Sequence, residues 1–202
     1  MTLKKNLPDW DSFYKETNVK EMPWYEQNLD ADLAAQINSM NLKEGKFLDL
    51  GTGPGTQAIE LAKIGFESTG ADISKNAIAK AQELSSDVNF VEDDILNSSF
   101  VDDEFDFILD RGCFHVFEPS LRKKYLSQIK RILRDDGILF LKVMSKEEKG
   151  LPDEEGPYKF SEQDILDIFE KDFQILNIIP TVYYGILTPL PKAIFAIIKQ
   201  KN

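Results

Sequence analysis

The order of patterns in this 202-residue chain predicts a doubly wound α/β fold, a mostly parallel sheet with helices on both faces. Short apolar runs alternate with segments of helical periodicity. The first run is joined to the following helix by a turn with glycine at three alternate positions, Gly51, Gly53 and Gly55. Later runs end on acids, at Asp72, Glu92 and Asp110.

Residues 1–30 precede the first strand and hold Trp10, Phe13, Tyr14, Trp24 and Tyr25, including both tryptophans. They read either as helices burying an aromatic face on the domain or as a lid over a ligand. Residues 1–40 are accordingly taken as an N-terminal helical lid segment of one domain spanning 1–202. Asp32 to Met40 carries Leu33, Ala34, Ile37 and Met40 at helical spacing, and Asn41 to Gly45 ends that helix. Phe47 to Leu50 is the first strand, and the helix opening at Thr56 stops at Gly65. Glu67 to Asp72 is the second strand, and Ser74 caps a helix with Ala77, Ile78, Ala81 and Leu84 on one face. Val88 to Glu92 is the third strand, and Phe105 to Asp110 is the fourth. A helix from Ser120 through Leu133 follows, then a turn at Arg134 to Gly137 and a fifth strand, Ile138 to Val143. Residues 145–160 read as a mobile charged loop near the cleft, and Ser161 opens a helix through a capping box closed by Asp164. Phe173 to Ile179 and Ala193 to Lys199 are the last two strands. The apolar connection between them, Pro180 to Pro191, either lines an acceptor pocket or simply packs.

Composition narrows the function. A net charge of −11 argues against binding to a phosphate backbone. The one basic cluster, Arg122-Lys123-Lys124 with Lys130-Arg131, reads as a solvated helix face. The single cysteine, Cys113, excludes an intrachain disulfide framework or a thiolate metal cluster, and no metal site is expected. Met1 to Lys5 leads into no apolar core, so no signal peptide is expected. No apolar run reaches the roughly 20 residues that cross a bilayer. The expectation is a cytoplasmic protein with no membrane or nucleic-acid partner; its oligomeric state is open.

The glycine turn tolerates positive φ and lets a ligand lie against the backbone, while the helix after it presents unpaired N–H groups. An acid at the tip of the second strand, here Asp72, reads either as an acceptor for two ribose hydroxyls or as a solvated turn or helix-start charge. Asp110 ends the fourth strand and Arg111 follows it, at the side of an open sheet where ligands sit. Arg111 either holds an anionic substrate group or pairs with a nearby acid. His115, the only histidine, is either a base working near neutrality or a packed residue.

The pattern Asp49-x-Gly51-x-Gly53-x-Gly55 is not the G-x-G-x-x-G dinucleotide fingerprint. Together with Asp72-Ile73-Ser74, Val91-Glu92-Asp93-Asp94, Phe105-Asp106 and Leu133 to Gly137, it resembles the class I S-adenosylmethionine-dependent methyltransferases. Asp110-Arg111-Gly112-Cys113-Phe114-His115, with Pro23-Trp24-Tyr25, more loosely resembles the thiopurine, thiol and tellurite branch. The chain departs from the usual pattern at Thr52, where cysteine is common, and at Asp135-Asp136-Gly137, where Pro-Gly-Gly is usual.

The resemblance implies a Rossmann-like seven-stranded sheet of order 3-2-1-4-5-7-6 with strand 7 antiparallel. It implies S-adenosylmethionine as cofactor, with Asp49 ordering the loop and Gly51, Thr52, Gly53 and Gly55 along the methionyl part. Asp72 and Ile73 would meet the ribose, Asp94 and Ile95 the adenine, with Asp93 next in register, and the Asp110 region the amino group. Trp24 would face the sulfonium. His115 and Arg111 are the candidate catalytic side chains. The expected acceptor is a small molecule, with thiol, thiopurine-like or metalloid favoured because a soft nucleophile needs little or no base. An NAD(P)-dependent oxidoreductase and a non-catalytic nucleotide-binding module on the same fold are the alternatives.

Overall fold

The computed structural model describes residue 5, residues 7–152, residue 154 and residues 156–201. Seven strands, β1 (Lys46–Leu50), β2 (Glu67–Asp72), β3 (Asn89–Glu92), β4 (Phe105–Arg111), β5 (Leu133–Met144), β6 (Phe173–Val182) and β7 (Lys192–Gln200), form one sheet. Its order is β3-β2-β1-β4-β5-β7-β6. The first five strands run parallel, and β7 is antiparallel to both β5 and β6.

Alternation along the strands separates two apolar layers. Leu48, Leu50, Ile108, Leu139 and Leu141 face helices α5 (Pro119–Ile132) and α6 (Glu162–Phe169), meeting Tyr125, Ile129, Ile165 and Phe169. Phe47, Leu109, Phe140 and Phe195 face α2 (Ala31–Ser39) and α3 (Thr56–Lys63), meeting Leu33, Ile37 and Leu61. The same parity places Arg111 and Lys142 on the α2 side and Asp110 on the α5 side.

Two departures from the expected boundaries have physical causes. β5 begins at Leu133, directly after α5, because Leu133 pairs with Phe105 before the chain bulges out at 134–137. The expected turn there is that bulge, with Asp136 at φ 63° and the ladder resuming at Ile138. β6 continues through Pro180, which pairs opposite Ile194. Proline is tolerated because β6 is the sheet edge and no further strand asks for its missing N–H.

The N-terminal segment forms α1 (Trp10–Glu16), which lies against α4 (Lys75–Leu84). Asp11 holds it there, accepting from the Ser74 hydroxyl at 3.0 Å and from the Asn76 backbone and side-chain nitrogens at 2.9 Å. Lys80 closes the other end on the Thr17 carbonyl at 2.8 Å. Of the expected loop at 145–160, residues 153 and 155 lie outside the described residues, and its ends are tied by Ser145 pairing with Phe160.

Candidate cofactor and acceptor cleft

The glycine turn is held by the strand it leaves and the helix it enters. Asp49 is buried at the end of β1 and accepts from the Thr52 hydroxyl at 2.5 Å and the Ala58 N–H at 3.2 Å. Gly51 and Thr52 donate to the Ala71 carbonyl, which fixes the turn beside β2. Burial outweighs these bonds and raises the Asp49 carboxyl to about 6. Gly53 has φ +53°, and a Cβ there would lie 2.5 Å from the Tyr14 hydroxyl, so this glycine seats α1 against the turn. Gly55 has φ +81° and caps α3; a Cβ there would strike Phe90 and Ala81 at 2.6 and 2.9 Å. Gly55 therefore serves packing between α3, α4 and β3.

The tips of β2 and β3 are adjacent. Asp72 stands opposite Glu92, and the Asp93 N–H donates to the Asp72 carbonyl at 3.0 Å. The Asp72 carboxylate is buried, and its two oxygens accept from Gly53 N–H and Ser74 N–H, each at 2.9 Å. Each oxygen keeps one further lone-pair direction. Ile73, next in the chain, is exposed. Asp94 caps the short turn Ile95–Asn97 through Leu96 N–H at 2.9 Å, and the Ile95 side chain is buried in the core. Asp93, the neighbouring candidate, instead accepts from Ser99, and its second oxygen is buried without a partner.

At the end of β4 the expected roles change. Asp110 does not line the cleft. Its carboxylate points to the α5 side and accepts from the N–H groups of Gly112, Cys113 and Phe114 and from the Tyr125 hydroxyl. Burial raises it to about 6 despite these donors. What the strand end offers a ligand there is main chain, not a carboxylate.

His115 is buried, its Nδ1 accepting from Met144 N–H at 3.2 Å, and burial drives it down to about 3. The imidazole is neutral and its basic lone pair is already taken. Burial pushes the Cys113 thiol up, away from a reactive thiolate.

Arg111 is on the cleft side, paired with an acid as one of its two readings expected. Its Nε donates to Asp30 at 2.9 Å, Nη1 to the Trp24 carbonyl at 3.0 Å and Nη2 to the Tyr184 carbonyl. Lys142, its neighbour across β4 and β5, is fully buried and reaches the same Asp30 oxygen at 2.6 Å and Asp32 at 2.7 Å. Burial pushes the Asp30 carboxyl up, but Lys142 and Arg111 more than offset it and hold it below the usual range. Sequence reasoning passed over Asp30 and Lys142, although a lysine inside the apolar run Ile138 to Val143 is a legible signal. A charge buried in a strand requires a partner. It also passed over Gln57, which donates to the Asn28 carbonyl at 2.9 Å and accepts from Asp30 N–H at 2.7 Å.

A cleft partly open to solvent lies over the turn. Its lining brings together Trp24, Asp49, Gly51, Thr52, Gly53 and Arg111, with Tyr14, Met22 and Tyr25 from the N-terminal segment. Asp72 adjoins it through its bond to Gly53, whereas Asp94, Ile95, Asp110 and His115 stand outside the lining. Trp24 is stacked on Phe13 with ring centres 5.6 Å apart, which fixes the aromatic wall. Aromatic faces beside a buried carboxylate suit a cation, and the spare lone pairs of Asp72 suit a diol. These residues fit an adenosyl sulfonium.

The fold and the cleft define a Rossmann-like α/β architecture with a ligand cleft over the glycine turn. A family described as methyltransferase domain matches residues 47–137. An uncharacterized methyltransferase, C750.03c, of Schizosaccharomyces pombe is 34% identical over 106 residues, covering 50% of this chain and 73% of that protein. EEF1A lysine methyltransferase 2 of Danio rerio is 24% identical over 193 residues, covering 85% of this chain and 76% of that one. A solved structure described by the conversion of a disulfide bond into a thioacetal group during echinomycin biosynthesis superposes with a TM-score of 0.82. It is 23% identical, covers 95% of this chain and 92% of that one, and shares the fold. The chain belongs to the methyltransferase family, and its cofactor is S-adenosylmethionine. No helix among the described residues is long and apolar enough to cross a membrane.

Proposed function

We propose that this enzyme methylates a soft nucleophile on a small molecule: a thiol, a thiopurine-like sulfur or a metalloid. The observation that carries this reading is that, among the described residues, the acid and base candidates named around the cleft are committed elsewhere. His115 is held neutral with Nδ1 occupied, Asp110 is turned to α5, and Arg111 and Lys142 are paired. Asp49 is committed to Thr52 and Ala58. An acceptor that arrives as a thiolate or a lone-pair nucleophile needs none of them; an alcohol would.

The bound cofactor supplies an electrophilic methyl group on a sulfonium. The chain's part is to align and to exclude water, and such alignment is worth roughly 7–11 kcal/mol of barrier. In this reading Asp72 accepts from the ribose hydroxyls, the main chain at Ile95 and the Asp94 carboxylate meet the adenine, and the turn lies along the methionyl part. Residues 1–40 act as a lid, with Tyr14 on Gly53 and Trp24 towards the reacting sulfur.

A second reading, the side-chain amine of a protein lysine, draws on the EEF1A lysine methyltransferase relative. A protonated amine must lose a proton first, and His115, Asp49 and Asp110 are each committed to other partners. The test is formation of S-adenosylhomocysteine with thiophenol, a thiopurine, selenite or a lysine peptide as acceptor. Turnover with a sulfur or metalloid acceptor, tracking the acceptor's own pKa, is expected. Turnover with the lysine peptide alone would overturn the reading.

A further inference from the structure

We propose that Arg111 is a positioning residue that joins two segments, one at Trp24 in the cleft lining and one at Tyr184, into a single frame that shapes the acceptor mouth. The proposal rests on the cleft being a methyl-transfer site, and its main test does not depend on turnover.

The three guanidinium nitrogens bond to three separate segments. Nε meets Asp30 at the start of α2, Nη1 the Trp24 carbonyl in the N-terminal segment, and Nη2 the Tyr184 carbonyl just beyond β6. Trp24 lines the cleft. The Tyr183 ring lies 5.6 Å from Arg111 Cζ, so the guanidinium also rests against the second wall. The walls touch each other directly where Ile186 N–H donates to the Pro23 carbonyl at 3.3 Å.

The guanidinium is itself immobilised from behind. Asp30 Oδ2 is shared between Arg111 and Lys142, and Lys142 reaches on to Asp32 Oδ2. That oxygen also accepts from the Thr181 hydroxyl at 2.8 Å, within β6. The Lys142 ammonium lies 4.7 Å from the Tyr184 ring centre. The second wall is thus tied at Thr181, through Asp32, and again at Tyr184. Two cations balance two carboxylates, so the group is neutral as a unit.

The guanidinium spreads its donors over three separated nitrogens in one plane, whereas an ammonium directs its three N–H bonds from a single point and spans less distance between acceptors. A wall held this way cannot shift without its partner, and the shape of the acceptor mouth follows from both. Three of its five N–H donors are committed to protein acceptors, so Arg111 contributes to specificity through the walls.

Hydrogen exchange of the intact protein tests this. Tyr25 N–H donates to Met22 and Tyr183 N–H to Pro191, so each wall carries a reporting amide. In the unmodified protein both amides are expected to open together, with the same urea dependence. In Arg111→Lys both are expected to exchange at least tenfold faster. Different urea dependences in the unmodified protein, or acceleration at one wall only or at neither in the variant, would overturn the coupling. With thiophenol as acceptor, the variant is expected to raise KM at least fivefold with kcat within threefold; a loss confined to kcat would overturn the specificity role. Absence of thiophenol turnover in the unmodified protein would count against the proposed acceptor class, while the exchange result still decides the frame.

Discussion

On the β1–β3 side of the cleft, carboxylates are held by partners close in the chain: Asp49 by residues 3 and 9 positions on, Asp72 by residues 2 and 19 positions away, Asp94 by one 2 positions on. On the β4–β7 side the partners of Arg111, Lys142 and Thr181 are distant. Arg111 reaches across 73, 81 and 87 positions, Lys142 across 112 to Asp30, and Thr181 across 149 to Asp32. The first side is assembled from neighbours along the chain and is stabilised as soon as its strands pair. The second exists only when the N-terminal segment, the sheet and the β6–β7 connection have all come together, so one broken contact there leaves buried charge behind.

The largest effect is expected where that difference is sharpest. Lys142→Met leaves Asp30 and Asp32 without their shared cation, and urea unfolding is expected to show a loss of about 3–5 kcal/mol. A loss below about 1 kcal/mol would mean that Arg111 alone suffices for Asp30.

His115 gives the next largest effect, through pH. Its folded pKa of about 3 lies below the unfolded 6.5, so its contribution is intact above pH 6.5 and is lost as pH falls towards 3. Asp49 and Asp110, raised to about 6, act with the opposite sign: they favour the fold at low pH and oppose it as pH rises through 6. Since both acids are present in either protein, the difference between unmodified protein and His115→Gln isolates the histidine. That difference is expected to slope by about 1.4 kcal/mol per pH unit midway between 6.5 and 3.

On the near side the expected effects are smaller and fall on binding. Asp72→Ala is expected to weaken S-adenosylhomocysteine by about 1.5–3 kcal/mol in a calorimetric titration, the scale of charge-assisted hydrogen bonds. An unchanged dissociation constant would remove Asp72 from the ribose role. Asp94→Ala removes the cap of a short surface turn and is expected to cost about 1 kcal/mol of stability. If it cost as much as Lys142→Met, the contrast between the two sides would fail.

Particular residues show how far reading along the chain reaches. Asp49, the alternate glycines and Asp72 were legible because each is placed by the strand or turn it belongs to, and the period-two alternation of a strand is a local property. That same alternation foretells that Asp110 and Arg111 point to opposite faces, although both had been expected at the cleft. The position of Tyr14 on Gly53 was beyond reach, since it depends on how α1 docks on α4.

By itself the sequence determined the strand and helix order, the turn, the acidic strand tips and the membership of a methyltransferase family, all carried by short-range pattern. Only the tertiary structure decided that His115 is neutral, that Asp110 serves α5, and that Arg111 and Lys142 share Asp30. Burial and pairing of charge are set by what else arrives at a point in space, and separations of up to 149 positions leave no local trace of that.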